Sequence, residues 1–286
     1  MRKIFAALAL AVLGCLALPA SASAASALSC EPGQVAQKYP TLAGKIIHMG
    51  ADPQTPPYAS VDPSDPNVLV GSDIDLAKAV FDCLGLKYDI KPAAWSGLFP
   101  AVVAGQIDLM YYLYYNPTRA KQGDFIVYMT AGTGAITQKG NPKHIKSVDD
   151  LCGKAVAAGL GSVEQTQMQD LSKSCVAKGA QPIDIATYSE HSAGFRLISG
   201  GRADIMLTDL ALVDKTVADH PDVYERAFAI MSGMQIGVAV KKGNDALSGA
   251  ILDGLRAVQA AGTEKKIFAK YGIDPSLQLP AELKTK

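Results

Sequence analysis

The stretch DLMYYLYYNPTR, Asp108 to Arg119, decides how the rest of the chain is read. It begins as an apolar, tyrosine-rich run of about five residues, which suits a buried strand bounded by turn signals. Asn116-Pro117 ends that strand, because proline cannot continue a ladder and restricts the residue before it. Arg119 then falls at the carboxyl end of the strand, where open α/β sheets bind ligands. A guanidinium there is a fork of donors matched to a carboxylate. The plain alternative is a surface arginine on the first turn of a helix, and the flanking sequence decides between the two.

Upstream, residues 45–49 (KIIHM) read as a first strand running into a turn-dense loop, GADPQTPPY, at 50–58. Ile74, Leu76, Ala77, Val80, Phe81 and Leu84 are spaced as one helix face, with an Asp or Ser available as cap and Gly85 as the stop. Residues 87–91 are the next strand, and Trp95 opens a helix that Gly105 ends. Asp62 to Asn67 is a polar turn. The order β-loop-α-β-α-β argues for a parallel sheet covered by helices.

Downstream, 125–129 and 134–138 are extended, and 148–151 is a helical turn. A second β-α-β-α-β unit follows: strands at 154–158, 183–187 and 203–207, with helices at 165–174 and 192–199. Thr208-Asp209 leads into a helix at 210–218. A final strand at 237–240 and helices at 246–260 and 264–271 close the chain. The Gly159-Leu160-Gly161-Ser162 turn lies between a strand and a helix, so it presents free backbone N–H groups to an anion. It lacks the Walker lysine and the dinucleotide glycine pattern, which excludes a phosphate loop.

The bulk properties fit a folded, exported chain. Of 286 residues, 49% are hydrophobic and 19% charged, and the formal net charge is zero, so neither nucleic acid nor an anionic membrane is an expected partner. Residues 1–24 read as a secretory signal peptide: a basic start at Arg2-Lys3, an apolar segment too short to span a bilayer, and small-residue cleavage sites. Val12-Leu13-Gly14-Cys15 is a poor lipoprotein box, so no lipid anchor at Cys15 is expected. Cys30, Cys83, Cys152 and Cys175 remain, an even number suited to two disulfides in an oxidising compartment, with three pairings open. Their spacing and the lack of nearby histidines argue against a metal site, and no cofactor is expected.

Eight segments then carry a resemblance: GADPQTPPY (50–58), GSDIDLAKAVFDCLGL (71–86), WSGLFPAVVAGQIDL (95–109), NPTRAK (116–121), IKSVDDLCGKAVAAGLGS (145–162), SGGRADIMLTD (199–209), IGVAVKKGN (236–244) and AGTEKKIFAKYGI (261–273). In this order they resemble the extracellular solute-binding proteins of ABC importers, in the family that mostly carries polar amino acids. The resemblance implies a type II periplasmic-binding-protein fold: an α/β chain in two lobes, two mixed sheets flanked by helices and joined by two hinge strands. Lobe 1 would comprise 25–133 and 235–286, and lobe 2 would comprise 134–234. The pairings Cys30–Cys83 and Cys152–Cys175 are then favoured, because each lies within one lobe.

By position, the resemblance assigns Arg119 to a ligand α-carboxylate and Asp209 to its α-ammonium. Ser162 and the Val163 backbone would also hold the carboxylate. Trp95 would be a wall, and Asp52 and Thr55 would touch the side chain. The chain departs from the family where small polar residues usually precede the arginine. Tyr111, Tyr112, Tyr114 and Tyr115 stand there, and the segment is one residue shorter. Strand alternation puts Tyr112 and Tyr114 on one side, facing the cleft; packing of the tyrosines against helices is the alternative. Asp52 and Glu164 remain as spare acids for a cationic side chain, and an aromatic one is the competing choice. The implied function is a monomeric periplasmic binding protein that delivers an amino acid or related zwitterion to an inner-membrane ABC permease. The alternatives are a cyclohexadienyl-dehydratase-like enzyme, with Glu164 or His191 as general acid, and a ligand sensor. His191 is expected on the surface.

Overall fold

The computed structural model describes Cys30 and residues 37–285; the expected signal peptide and Cys15 lie outside the described residues. Among these, β1 (Ile46–Ala51), β2 (Gln54–Thr55), β3 (Ala59–Asp62) and β4 (Asp65–Val70) precede helix α1 (Ser72–Leu84). Strand β5 (Lys87–Pro92), α2 (Trp95–Ala104), β6 (Leu109–Tyr114) and the single turn α3 (Pro117–Ala120) follow. Then come β7 (Gly123–Gln138), β8 (Ala155–Gly159), α4 (Val163–Ala177), β9 (Asp184–Tyr188), α5 (His191–Ser199), β10 (Ile205–Asp209) and α6 (Leu210–Asp219). The chain ends in β11 (Tyr224–Lys241), α7 (Asp245–Ala260), α8 (Thr263–Lys270) and β12 (Gln278–Lys284).

The strand order β5-β1-β6-β11-β7-β10-β8-β9 shows how the two β-α-β-α-β units meet. Pairs β1–β5 and β1–β6 are parallel in one lobe, and β8–β9 and β8–β10 are parallel in the other. Between them, β7 and β11 pair antiparallel along nearly their whole length, from Tyr224–Gln138 to Lys241–Gly123. These two long strands are the expected hinge crossings. The extended pieces at 125–129 and 134–138 are parts of one strand, and the strand expected at 237–240 is the end of a much longer one. The polar turn at 62–67 joins β3 and β4 in a small antiparallel sheet with β2.

The helix α1 forms as its spacing predicts. Ile74, Leu76, Ala77, Val80 and Phe81 are fully buried, and Gly85 ends the helix in the left-handed region at φ 64°. The expected side-chain cap is absent. Gly71 takes the N-cap position at φ 139°, and a Cβ there would come within 2.1 Å of the Tyr58 carbonyl oxygen. That close approach brings the Tyr58 loop onto the start of α1, where Ser72 N–H donates to Pro57 O and Asp73 N–H donates to Tyr58 O.

Asp73, freed from capping, turns inward. Its Oδ1 accepts the Tyr128 hydroxyl at 2.8 Å, while Oδ2 has no hydrogen-bond partner among the described residues. Burial pushes its carboxyl up to about 7. Nearby Glu264 is fully buried on α8, with neither carboxyl oxygen in a well-formed hydrogen bond among the described residues; the neighbouring Gln259 amide, bonded to Leu279 O and to the Ala281 N–H, only partly relieves its burial. Burial pushes Glu264 up to about 8 from 4.5. Between those values the native chain holds a proton that the unfolded chain has released, so stability falls as pH rises through that window. Glu264→Gln is therefore expected to flatten the pH dependence and to stabilise the protein above pH ~8 by on the order of 2–4 kcal/mol. Urea unfolding at pH 5 and at pH 9 checks this, and equal slopes in mutant and parent contradict it.

Both favoured disulfides form, Cys30–Cys83 and Cys152–Cys175. The second closes a loop with a sequence separation of 23 under the Cys175 end of α4. Replacing both of its cysteines by serine is expected to cost about 3 kcal/mol. An unchanged urea midpoint would show that the bond carries no stability.

Candidate functional site

The carboxyl ends of β1 and β6 from lobe 1 face the starts of α4, α5 and α6 from lobe 2, and every candidate residue lies at that meeting. Asn116 caps α3 by accepting the Arg119 N–H at 2.8 Å, which fixes the arginine just past β6. The Arg119 guanidinium donates to Tyr114 O in its own lobe and to Gly161 O in the other, each at 2.7 Å. It thus bridges the lobes and keeps further donors for a ligand. Burial lowers its pKa to about 10, against the pull of Glu164, so it stays charged at neutral pH.

Asp209 ends β10 and caps α6. Its Oδ1 accepts the N–H groups of Ala211 and Leu212 and the Tyr58 hydroxyl at 2.9 Å, and its Oδ2 accepts the Tyr114 hydroxyl at 2.8 Å. Burial pushes the Asp209 carboxyl up, and these donors hold it down. Burial also raises the Tyr58 and Tyr114 hydroxyls well above the usual range, so both remain donors. With one hydrogen bond on it, Oδ2 keeps acceptor capacity for a ligand cation.

Ser162 is the N-cap of α4, its hydroxyl accepting the Gln165 N–H. Val163 and Glu164 open that helix. Glu164 is 4% exposed and its Oε1 has no hydrogen-bond partner among the described residues; burial raises its carboxyl, with its own backbone N–H, the Ser162 hydroxyl and Arg119 acting in the opposite sense. Asp52 accepts the Gln54 N–H on Oδ1 and faces His191 Nδ1 across the cleft at 3.4 Å on Oδ2. Thr55 donates to Asp52 O and is buried.

Two small cavities share these residues. Tyr112, Tyr114, Trp95, Ser162, Val163, Glu164 and Asp209 line one, together with Tyr188, His191 and Thr208. Asp52 and Thr55 line the adjoining one with Asp73, Tyr111 and the other side of Trp95 and Tyr112. So nine of the ten candidates line the two cavities, and Arg119 stands beside them, bonded to Tyr114. Tyr112 and Tyr114 share a side as strand alternation predicts, yet they do so through a bulge. Leu113 pairs with Gly237 and Met110 with Ala239, leaving Tyr111 and Tyr112 opposite one residue. Tyr112 sits at φ 57°, a conformation costing a non-glycine residue about 1 kcal/mol or more. Its ring stacks on Tyr58, with centroids 4.1 Å apart.

One expectation is corrected. His191 is buried in the cleft, 5% exposed, because it begins α5 where that helix meets the Asp52 loop. Three residues at the seam were not singled out from the sequence: Tyr188, which lines the first cavity, Tyr58, which donates to Asp209, and Gln54, whose side-chain oxygen accepts the Ser192 N–H at 2.9 Å across the cleft. Tyr58 carried a signal, since it ends the quoted loop GADPQTPPY. Tyr188 carried none.

Two lobes on paired crossing strands, with a buried cation and buried acids facing one another at the seam, define a ligand-closing binding protein. The model of the bacterial extracellular solute-binding proteins, family 3, matches residues 47–274, and the chain belongs to that family. It is similar to the L-cystine-binding protein TcyJ of Escherichia coli (strain K12), 29% identical over 228 residues, covering 78% of this chain and 81% of that one. It is also similar to the ABC transporter glutamine-binding protein GlnH of Bacillus subtilis (strain 168), 29% identical over 282 residues, covering 95% and 97%. Among solved structures, an ancestral arginine-binding protein bound to arginine aligns with a TM-score of 0.72 at 32% identity, covering 79% of this chain and 97% of that one. No helix among the described residues is long and apolar enough to cross a membrane.

Proposed function

We propose that this chain captures a small zwitterion, an amino acid, between its lobes and hands the closed complex to an inner-membrane ABC permease, acting as a periplasmic monomer without a catalytic step. The observation that carries this reading is the opposed pair: Arg119 of lobe 1 and Asp209 of lobe 2, both buried at one seam, each with hydrogen-bonding capacity left over. A zwitterion needs one cation and one anion at fixed separation. A seam that closes on β7 and β11 strengthens each pair by excluding water. In this reading the carboxylate meets Arg119, Ser162 and the N-terminal backbone of α4 at Val163, and the ammonium meets Asp209 Oδ2. The lobes divide near Thr133 and Gln235, within the two crossing strands. The names of the similar proteins, binders of cystine, glutamine and arginine, support the amino-acid class.

Thermal unfolding against a ligand panel tests it: the protein amino acids, ornithine, dipeptides, carboxylates without an amine and amines without a carboxylate. Ligand at ~100 times its dissociation constant adds roughly 2.7 kcal/mol. A rise in Tm with one class of α-amino acid, with the ligand recovered unchanged, is the expected result. Stabilisation only by compounds lacking one of the two charges contradicts the zwitterion reading, and conversion of the ligand contradicts simple binding.

A further inference from the structure

A further cavity, of about 450 Å³, lies at the hinge and is distinct from the two chambers of the cleft. Pro57, Ile273 and Leu277 wall it from lobe 1, and Leu210 and Ala211 wall it from lobe 2. Strand β7 leaves room for it. On one side of β7, β10 pairs as far as Thr133 and β12 begins at Met129, so residues 130–132 have no strand beside them there among the described residues. Gly132 lets the walls approach: a Cβ on it would come within 2.8 Å of the Met231 sulfur and 3.3 Å of Leu210 Cδ2. Met231 lines the cavity and is 66% exposed, an adaptable apolar side chain at the opening. The charged and hydroxyl groups on the walls are already engaged. Tyr58 donates to Asp209, Tyr271 donates to Asp75, Asp214 pairs with Arg226, Lys215 pairs with Asp219, and Asp274 accepts the Ser276 N–H.

We propose that this cavity is a second ligand site, for a neutral and mainly apolar small molecule, and that filling it favours the closed lobes. Its volume, its apolar walls and its place between two lobes are those of small-molecule pockets. With the polar groups of the walls paired, burial of apolar surface is the attraction left, which selects an uncharged ligand. The lobes are closed here: Tyr58 donates to Asp209, Arg119 donates to Gly161 O, and Gln54 accepts the Ser192 N–H, each across the seam. Rotation of one lobe moves half of the cavity wall, so a molecule shaped to this cavity binds the closed arrangement more tightly than an open one. Asp209 lines both this cavity and the cleft, so the two sites share a wall. By linkage, each ligand then tightens the other. The site itself is independent of the amino-acid reading; only its effect on the cleft rests on that reading.

The test uses N-phenyl-1-naphthylamine, an uncharged probe whose emission rises in apolar surroundings, titrated into the mature protein. The expected result is a saturable rise that fits one site. Ala211→Trp fills the cavity from lobe 2 and Leu277→Trp fills it from lobe 1, and each is expected to weaken the probe by roughly 10-fold or more through crowding. Circular dichroism confirms that each variant is folded. Saturating probe is expected to tighten binding of the amino acid found by the stability panel about 5-fold or more, and that amino acid tightens the probe by the same factor. No saturable binding, parental probe affinity in both folded variants, or displacement of the probe by the amino acid overturns the second site. Amino-acid affinity that is unchanged or lowered by bound probe overturns the effect on closure. If no amino acid binds while both variants lose the probe, the amino-acid reading fails and the second site stands. If amino acids bind and the probe does not, the reverse holds.

Discussion

Arg119→Ala is expected to weaken ligand binding by about 2–5 kcal/mol, which is the range for leaving one partner of a buried charged pair unpaired. Three losses combine. The ligand carboxylate loses its cation inside a closed seam. Tyr114 O and Gly161 O lose the donors that join the lobes. The closed form, which excludes water, becomes less favourable relative to the open one. Arg119→Lys restores charge but not the two-pronged reach, so it recovers only part of the loss. Calorimetric titration of parent and mutants with the same ligand measures this, and parental affinity in the alanine mutant would show that another group holds the carboxylate.

Asp209→Ala is expected to lower stability by about 2–4 kcal/mol as well as abolishing tight binding. The carboxylate caps α6 through two backbone N–H groups, and its removal strands the Tyr58 and Tyr114 hydroxyls in a buried site. Relief of the carboxyl's own desolvation offsets part of that cost, as its raised pKa indicates. Asp209→Asn keeps an acceptor for the cap and loses the charge, so it separates the two roles: stability near the parent, binding strongly reduced. A denaturant midpoint for the alanine mutant within error of the parent would contradict the capping and clasping geometry.

Much of the scaffold was legible because its signals are local. The spacing of Ile74 to Leu84 fixed α1, and Gly85 fixed its end. The order of strands and helices gave two parallel units. Long-range pairing was harder to read. Residues 224–236 of β11 lack clean alternation and contain Gly233, so only the apolar end at 237–240 read as a strand. β12 carries Pro280, tolerated because β12 is an edge strand that pairs only β7 among the described residues, with Pro280 in the register gap between Gln278 and Glu282. The β3–β4 hairpin is rich in Pro and Asp and read as a turn.

The site divides the same way. Arg119 and Asp209 stand at strand ends, a position that sequence order exposes, and the resemblance assigned their roles. Tyr58 does not: its hydroxyl reaches Asp209, 151 residues away, and nothing near it in sequence announces that partner. The bulge that turns Tyr112 depends on its pairing with β11 and has no sequence signature of its own. His191 read as a surface residue, because nothing near it in sequence announces Asp52, 139 residues away, which faces it.

The most direct test of the central claim is a crystal structure with the ligand that the stability panel selects. A carboxylate within hydrogen-bonding distance of the Arg119 guanidinium and the N-terminus of α4, with a cationic nitrogen against Asp209 or Glu164, is the predicted result. A ligand seated outside the seam between the lobes, or one whose charged groups touch neither Arg119 nor these acids, would contradict it.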